Sequence, residues 1–268
     1  MFLTIFTPSY NRASYLPRLF ASLKAQTDQD FEFVLVDDGS TDDTAETAER
    51  FRRDGTVSFK FLRKKNGGLH TALNAGLKMA EGELFLFAGS DAWLDPNAVA
   101  RVRAEWESLS GDSRYMGVVF RKMDTASGKP IGEPIPGGRF DCSHVQAHFV
   151  HGFGGDKAEF IRTELLNLYP YPEIQGESYF PVGYPYCRLS EHFILRYIDE
   201  TIYNGQYLPG GLTSNFPERL RNNPRGFHEY YSFLCRVPGI ALWQQVKWAV
   251  RRLQCLFNII RVEISKRM

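Results

Sequence analysis

The stretch Phe85-Leu86-Phe87-Ala88-Gly89-Ser90-Asp91-Ala92-Trp93-Leu94 decides the fold of this chain. It is an apolar run of strand length that stops at a lone acid, Asp91, in a polar turn. The run predicts a buried strand that delivers Asp91 to a crevice, because ligands of open α/β sheets bind at the carboxyl ends of the strands. The alternative is that Asp91 closes the turn or caps a helix that begins near Pro96.

The first 88 residues alternate between short apolar runs and longer amphipathic segments. The apolar runs are residues 2–6, 31–36, 57–62 and 84–88, and the amphipathic segments are residues 14–26, 41–53 and 69–81. This order predicts successive βαβ units, and therefore an α/β fold with a mostly parallel sheet flanked by helices. Right-handed crossovers then place all four strand ends at one edge of the sheet.

Composition narrows the class of protein. With 268 residues, 43% of them hydrophobic, the chain is long enough to bury a full core. Its four cysteines are scattered without a C-x-x-C pair, which indicates neither a disulfide framework nor a zinc site and suits a reducing compartment. No run approaches the roughly 18 apolar residues of a membrane-spanning helix, and no export signal precedes the first strand. We therefore expect a cytoplasmic protein.

Each predicted strand is followed by a polar cluster, at residues 7–12, 37–41, 63–68 and 89–91. Arg12 offers a guanidinium to an anion at a helix start, and Asp38 can accept hydrogen bonds from a ribose or a base. The basic residues 63–65 can pair with phosphate, and Gly67 lets a ligand approach the backbone. The alternatives are ordinary helix capping and a solvated basic loop. Neither G-x-G-x-x-G nor G-x-x-x-x-G-K-[ST] is present, which excludes two common modes of nucleotide binding.

The polar clusters, taken together, resemble the motifs of the family 2 glycosyltransferases. The motifs are Thr7-Pro8-Ser9-Tyr10-Asn11-Arg12, Val36-Asp37-Asp38-Gly39-Ser40-Thr41-Asp42, Asn66-Gly67-Gly68 with Asn74, and Ser90-Asp91-Ala92-Trp93-Leu94. The resemblance implies the GT-A fold, with a mostly parallel Rossmann-like sheet. It also implies transfer of a sugar from a nucleotide-sugar, in the first place a UDP-sugar, usually with inversion and usually with Mg²⁺ or Mn²⁺.

The resemblance implies a role for individual residues in binding the nucleotide-sugar. These residues are Pro8, Tyr10, Arg12, Asp38, Asn66, Gly67, Asn74, Ser90 and Asp91. Asp91 is also the implied metal ligand, although Gly89 and Ala92 stand where the family commonly carries two further acids. Asp91 alone can still support Mg²⁺, because this ion is usually held by one or two carboxylates together with substrate phosphates.

The second half of the chain resembles a bacterial surface-polysaccharide subgroup of the same family as far as about residue 231. The matching runs include Gly155-Asp156-Lys157, Arg162-Thr163-Glu164, Gly176-Glu177, Tyr207-Leu208, Gly211-Leu212-Thr213 and Asn223-Pro224-Arg225-Gly226. Asp156 and Lys157 can alternatively form an ion pair within their loop.

Inverting transfer needs a base beside the acceptor hydroxyl, normally a carboxylate. Val182 stands where the subgroup usually carries that acid, and valine cannot take a proton. The nearby candidates are Glu177 and Glu191, each of which can instead be a surface or capping acid.

Residues 240–264 carry apolar side chains at helical spacing, with Lys and Arg on the remaining face. Trp243 and Trp248 beside Lys247, Arg251 and Arg252 predict an interfacial helix on an anionic membrane. A helix that packs on its own domain or on a second copy is the alternative. We therefore predict a GT-A domain over residues 1–231, with a nucleotide-sugar half (1–100) and an acceptor half (101–231), and a basic amphipathic helical region over residues 232–268.

The sequence thus predicts a glycosyltransferase in cell-surface polysaccharide biosynthesis. It would use a saccharide or lipid-linked saccharide acceptor, sit peripherally on the inner face of the cell membrane, and have no nucleic-acid partner. The acids missing at Gly89, Ala92 and Val182 motivate an alternative, a catalytically impaired relative that acts as a binding or partner subunit.

Overall fold

The four predicted strands form the parallel half of one sheet. The computed structural model describes residues 1–109, 111–205 and 215–267, and the predicted motifs at 207–208 and 211–213 lie outside these ranges. The strands are β1 (Leu3–Ser9), β2 (Phe31–Asp37), β3 (Ser58–Arg63) and β4 (Leu84–Phe87), joined by α1 (Leu16–Lys24), α2 (Thr44–Asp54) and α3 (Leu69–Met79). They pair in parallel in the order β3-β2-β1-β4, which confirms the predicted βαβ units.

The remaining elements extend the sheet and cover it. They are β5 (Trp93–Leu94), α4 (Ala98–Glu107), β6 (Tyr115–Asp124), β7 (Lys129–Pro130), β8 (Arg139–Cys142), α5 (His144–Phe149), β9 (Lys157–Arg162), α6 (Thr163–Leu166), α7 (Tyr184–Leu189), β10 (Ile194–Gly205), α8 (Phe216–Asn222), α9 (Pro224–Leu234) and α10 (Leu242–Arg267). The main path through the sheet is β3-β2-β1-β4-β9-β6-β10-β5, and β6 pairs in parallel with β10.

β9 lies antiparallel between β4 and β6 and joins the two halves of the sheet. The sequence predicts only an amphipathic segment over residues 158–168, and the structure makes its first part a strand. Ala158 and Phe160 pack into one face of the sheet, whereas Ile161 packs into the other. Burial on both faces explains why the polar contrast along this strand is weak.

α10 has two apolar faces that point in different directions. Its inner face buries Gln244, Trp248 and Cys255 against the rest of the chain, and the ring of Trp248 lies 4.8 Å from that of Phe149. Its outer face leaves large apolar side chains exposed: Leu242, Trp243, Val246, Val250, Leu253, Leu256, Phe257, Ile260 and Ile264. The predicted helix over 240–264 is thus present. No helix in the described part of the chain is long and apolar enough to cross a membrane.

Candidate active site

The loops after β1 and β2 are tied to each other at the carboxyl edge of the sheet. The backbone N–H of Asn11 donates to the Ser40 hydroxyl oxygen at 2.9 Å, and Asn11 Oδ1 accepts from the N–H of Thr41 at 2.8 Å. Asn11 has a φ of 54°, a left-handed conformation that asparagine tolerates better than most residues. The two loops therefore form one wall of the crevice.

Asp38 organises the loop that follows β3. One carboxylate oxygen accepts from Lys64 Nζ at 2.7 Å and from the Gly67 N–H at 3.0 Å, and the other accepts from the Gly68 N–H at 2.8 Å. The Asn66 side chain donates to the Asp38 carbonyl oxygen at 2.9 Å. Asp38 is buried, so any contact with a ligand uses the lone pairs that this loop leaves open.

Gly68 brings the loop after β3 against the backbone of Ser178. Its φ is 92°, and a β-carbon there would lie 1.8 Å from the carbonyl oxygen of Ser178. Only glycine fits this contact, because any side chain would clash with backbone. The segment that begins near residue 178 therefore forms the opposite wall of the crevice.

The other predicted nucleotide-sugar residues divide into two groups. Pro8 is the penultimate residue of β1, Tyr10 follows the strand and is 51% exposed, and the guanidinium carbon of Arg12 lies 5.6 Å from the ring centroid of Tyr15, all at the carboxyl edge. Asn74 is instead engaged inside the fold. Its amide donates to the Tyr171 carbonyl and accepts from the Tyr171 N–H, both at 2.8 Å, and so joins α3 to the segment around Tyr171.

The turn that carries Asp91 is held from two sides. The phenolic oxygen of Tyr203 accepts from the N–H of Gly89 at 2.9 Å, and the Arg18 guanidinium donates to the carbonyl oxygen of Asp91 at 2.6 Å. The same guanidinium lies 3.9 Å from the ring centroid of Trp93. The neighbouring Ser90 is buried. These contacts hold the backbone of the turn that carries the Asp91 side chain.

The two candidate bases lie at different places. Ile194, the first residue of β10, pairs with Tyr115, whereas Asn204 pairs with Met123. At about 3.3 Å per residue these two pairs are roughly 26 Å apart. Glu191 precedes Ile194 and so lies near the amino edge of the sheet, opposite the edge of Asp91. It lies in a groove between α7 and α9, 3.9 Å from Arg188. The structure does not bring it to Asp91.

Glu177 lies beside the contact between the two walls. Its carboxylate accepts from the N–H groups of Arg225 at 2.7 Å and Gly226 at 2.9 Å, at the start of α9. Burial raises the pKa of Glu177, although these two hydrogen bonds act in the opposite direction. Val182 is half-buried four residues after Ser178, and its carbonyl oxygen accepts from the Tyr171 hydroxyl at 2.8 Å.

A buried ion pair lies behind this wall. His144 Nδ1 is 3.2 Å from a carboxylate oxygen of Glu159 on β9, and the His144 ring lies 3.9 Å from the position of a β-carbon at Gly183. Burial would lower the pKa of His144, but Cys187 and Glu159 outweigh it and raise this pKa to about 10. The pair supports the segment that carries Val182 and is not part of the open crevice.

The sequence model described as "Glycosyl transferase family 2" matches residues 4–163, more than half of the chain. The chain belongs to glycosyl transferase family 2. Its sheet and flanking helices have the arrangement of the GT-A fold.

Named relatives of the family match part of the chain. TarS, a poly(ribitol-phosphate) β-N-acetylglucosaminyltransferase of Staphylococcus aureus (strain Mu50), is 31% identical over 134 residues, 49% of this chain and 22% of TarS. A PGL/p-HBAD biosynthesis glycosyltransferase of Mycobacterium bovis (strain BCG) is 38% identical over 123 residues, 45% of this chain and 48% of that protein. The matched region thus spans less than half of either relative.

Solved structures of the family share the fold. Residues 1–349 of S. aureus TarS in complex with UDP-GlcNAc superpose with a TM-score of 0.69 at 19% identity, over 96% of this chain and 72% of that one. A mannosyltransferase of Pyrobaculum calidifontis in complex with GDP-Man and Mn²⁺ superposes with a TM-score of 0.59 at 15% identity, over 98% of this chain and 75% of that one.

Two residues at the site have no signal in the sequence. Arg18 lies within an ordinary amphipathic helix, and Tyr203 lies in a strand where aromatic residues are common. Their contacts reach across 73 and 114 residues to the Asp91 turn, so only the folded structure shows them.

Proposed function

We propose that this chain transfers a sugar from a UDP-sugar to a hydroxyl of a saccharide or lipid-linked saccharide in cell-surface polysaccharide biosynthesis, with inversion. The observation that carries the proposal is that the four polar loops lie at one edge of the sheet, with Asp38 after β2 and Asp91 after β4 on either side of β1. The UDP-GlcNAc complex of TarS supports UDP as the nucleotide, because TarS is also 31% identical to this chain over 134 residues.

The nucleotide side of the site is built from the first three loops. Asp38, Asn66 and Gly67 shape the pocket for the nucleoside, while Pro8 and Tyr10 form its other side. Arg12 is the cation that faces the diphosphate. Arg63 at the end of β3 pairs with Asp37, and Lys64 after it pairs with Asp38. These pairs leave the two basic side chains less able to bind phosphate.

The residues fit a divalent ion that is bound by a single protein carboxylate. Over the described ranges no group of three His, Cys, Asp or Glu side chains is placed to hold a metal. Asp91 supplies one carboxylate, and Mg²⁺ or Mn²⁺ commonly takes its remaining ligands from substrate phosphates and water. Such an ion, when bound, neutralises charge that develops on the leaving diphosphate. Asp91 is its protein ligand, and the metal site should therefore be weak without the donor.

We assign the general base to Glu177 in preference to Glu191. Glu177 lies where the acceptor wall meets the donor loop, and burial raises the pKa of Glu177, which favours proton acceptance. Its role would be to hold the acceptor hydroxyl and take its proton as the oxygen attacks the anomeric carbon. Glu191 lies at the far edge and has no access to that carbon.

The outer face of α10 supports the attachment of the enzyme to an anionic membrane. In this proposal residues 1–231 carry out transfer, and residues 232–268 place the protein on the inner face of the cell membrane. Lys247 and Arg261 are exposed beside the apolar stripe, as in interfacial helices. This position would bring the crevice to a lipid-linked acceptor.

The experiment that tests the proposal is a donor panel. UDP-, GDP- and dTDP-linked sugars are incubated with the protein and Mn²⁺, and release of the nucleoside diphosphate is measured. We expect release from a UDP-sugar and its loss by at least 100-fold in Asp91→Asn, since the ligand of the ion is removed. Glu107→Gln, an exposed acid on α4, is the matched control. Activity of Asp91→Asn within twofold of wild type would overturn the assignment of Asp91.

The alternative of a binding subunit rests on Val182, Gly89 and Ala92, which replace three acids. It predicts that UDP binds, as measured by calorimetry, while no donor of the panel is turned over. Absence of both binding and release would overturn the nucleotide-sugar assignment itself.

A further inference from the structure

Lys122 and Asp156 lie at the same sheet edge as Asp91, on its acceptor side. β6 runs parallel to β4, because each pairs antiparallel with β9. Lys122 is near the carboxyl end of β6, and Asp156 immediately precedes β9. The end of β6 and the start of β9 therefore share the carboxyl edge with the end of β4.

The two side chains form a pair that differs from the ion pair expected within the loop. Lys122 Nζ lies 3.7 Å from a carboxylate oxygen of Asp156, while Lys157 Nζ donates instead to the carbonyl oxygen of Gly154 at 2.8 Å. Lys122 is 9% exposed, and the Asp156 side chain is 51% exposed. A largely buried ammonium thus lies beside a half-exposed carboxylate at this edge of the sheet.

Tyr203 connects this pair to the Asp91 turn. Its hydroxyl accepts from Gly89, and Lys122 Nζ lies 5.6 Å from the centroid of its ring. Burial raises the pKa of Tyr203, and the carboxylates of Asp91 and Asp156 add to this increase. The charges of Asp91 and Asp156 therefore both act on one buried phenol.

The chemistry of the pair suits neutral hydroxyl groups better than a metal ion. A carboxylate accepts hydrogen bonds from hydroxyl protons, and an ammonium donates to hydroxyl oxygens. The Lys122 ammonium beside Asp156 repels a second cation, which disfavours a metal ion at this position. At 3.7 Å the ammonium and the carboxylate are beyond an ordinary hydrogen bond, so the exposed Asp156 carboxylate keeps lone pairs that a ligand can use.

We propose that Asp156, with Lys122 beside it, binds hydroxyl groups of the transferred sugar and sets which donor sugar is accepted. The inference rests on the proposed function, because the sugar must extend from a diphosphate that binds the divalent ion at Asp91. It names the ligand class as a sugar with free hydroxyls away from the anomeric carbon. In this arrangement Asp156 is a specificity residue, and Asp91 remains the ligand of the divalent ion that would bind the diphosphate.

The test compares the binding of UDP with that of the UDP-sugar accepted in the donor panel. Calorimetry is carried out with Mn²⁺ on wild type, Asp156→Asn, Asp156→Glu and the control Glu107→Gln. We expect Asp156→Asn to leave the Kd of UDP within twofold and to weaken the UDP-sugar about tenfold, the scale of a charged hydrogen bond. Asp156→Glu should recover part of the loss.

Deoxy analogues of that UDP-sugar identify the hydroxyl. Removal of the hydroxyl that contacts Asp156 should weaken binding to wild type about tenfold and leave Asp156→Asn unaffected, as expected for coupled groups. Equal loss of UDP and UDP-sugar binding in Asp156→Asn, or additive losses for every analogue, would overturn the subsite while leaving the proposed function intact. If wild type binds UDP-sugar no better than UDP, the subsite is also overturned, whereas failure to bind either overturns the proposed function.

Discussion

The Oδ1 atom of Asp91 lies 2.8 Å from the position that a β-carbon at Gly89 would take. The carboxylate of Asp91 thus occupies space that opens only because residue 89 has no side chain. An acid at position 89 and the present position of Asp91 exclude each other. The departure from the family pattern at Gly89 and the conformation of Asp91 are therefore two parts of one arrangement.

Gly89→Ala tests this arrangement without changing any charge. The methyl group meets only the end of a flexible side chain, so the protein should fold with a melting temperature close to wild type. The Asp91 carboxylate must turn away, and we expect at least a tenfold loss of Mn²⁺-dependent turnover. Unchanged turnover and Mn²⁺ dependence would show that the position of Asp91 is not critical.

Tyr203→Phe removes the acceptor for the Gly89 N–H. We expect a stability loss of about 1 kcal/mol, the usual value for one hydrogen bond, and a fall in kcat with little change in the KM for donor. Tyr197→Phe is the matched control, because the buried Tyr197 hydroxyl has no partner among the described residues. Equal effects of the two variants on kcat would show that Tyr203 does not position the Asp91 turn.

Glu177→Gln and Glu191→Gln separate the two candidate bases. If Glu177 is the base, Glu177→Gln should lower turnover by about 10²-fold or more, with UDP binding intact, and Glu191→Gln should not. The amide that replaces the Glu177 carboxylate retains one oxygen that can accept from the start of α9, so the protein should remain folded. Single-turnover transfer is the measurement.

The opposite pattern would place the base at Glu191 and require a large movement. If neither substitution lowers turnover, Val182→Glu restores an acid at the position where the subgroup has one. A large gain in transfer would then identify the natural protein as an impaired relative.

The double variant Trp243→Ser, Phe257→Ser tests the outer face of α10. Each side chain is 67% exposed, so folding should be unaffected, whereas burial of such a residue in a membrane contributes about 1.5 to 3 kcal/mol. Co-sedimentation with vesicles rich in anionic lipid should fall at least tenfold, and high salt should weaken binding by wild type. Leu168→Ser, at a site 62% exposed elsewhere on the surface, is the control.

Deletion of the helix would be a poorer test, because Trp248 and Cys255 fill the core beside α9. A different result would be that wild type does not bind the vesicles and is a dimer in solution that these two substitutions dissociate. In that case the outer face of α10 pairs with a second copy.

Glu159→Gln tests the buried ion pair. Removal of one partner of such a pair usually costs about 3 to 5 kcal/mol. The pKa of His144 is higher in the folded protein than its ordinary value of 6.5, so its contribution to the free energy of unfolding is complete below that pH and is lost as the pH rises through about 10. Urea unfolding should show that the free energy of unfolding falls more between pH 7 and pH 10 for wild type than for Glu159→Gln. An equal fall in the free energy of unfolding for both proteins would contradict the ion pair between His144 and Glu159.

The sequence predicts the elements better than the contacts between them. The apolar run over residues 31–36 becomes β2 with one added residue, because local pattern and burial agree there. β9 has no comparable signal, since burial on both faces hides its alternation. Asp91 stands out by its place after an apolar run, but the residues that hold it come from α1 and β10. Contacts at such separation leave no periodic trace in the sequence.

The position of β9 has a consequence for the order in which the chain can fold. Its neighbours β4 and β6 both precede it, so the edge of β4 stays unpaired until residues 157–162 arrive, and Leu86 then pairs with Phe160. Pairing at such sequence separation is slow, and an open apolar edge recruits strands from other molecules. A fragment that ends at residue 100 should therefore aggregate, and a chaperone that shields β4 during synthesis should raise the yield of native protein.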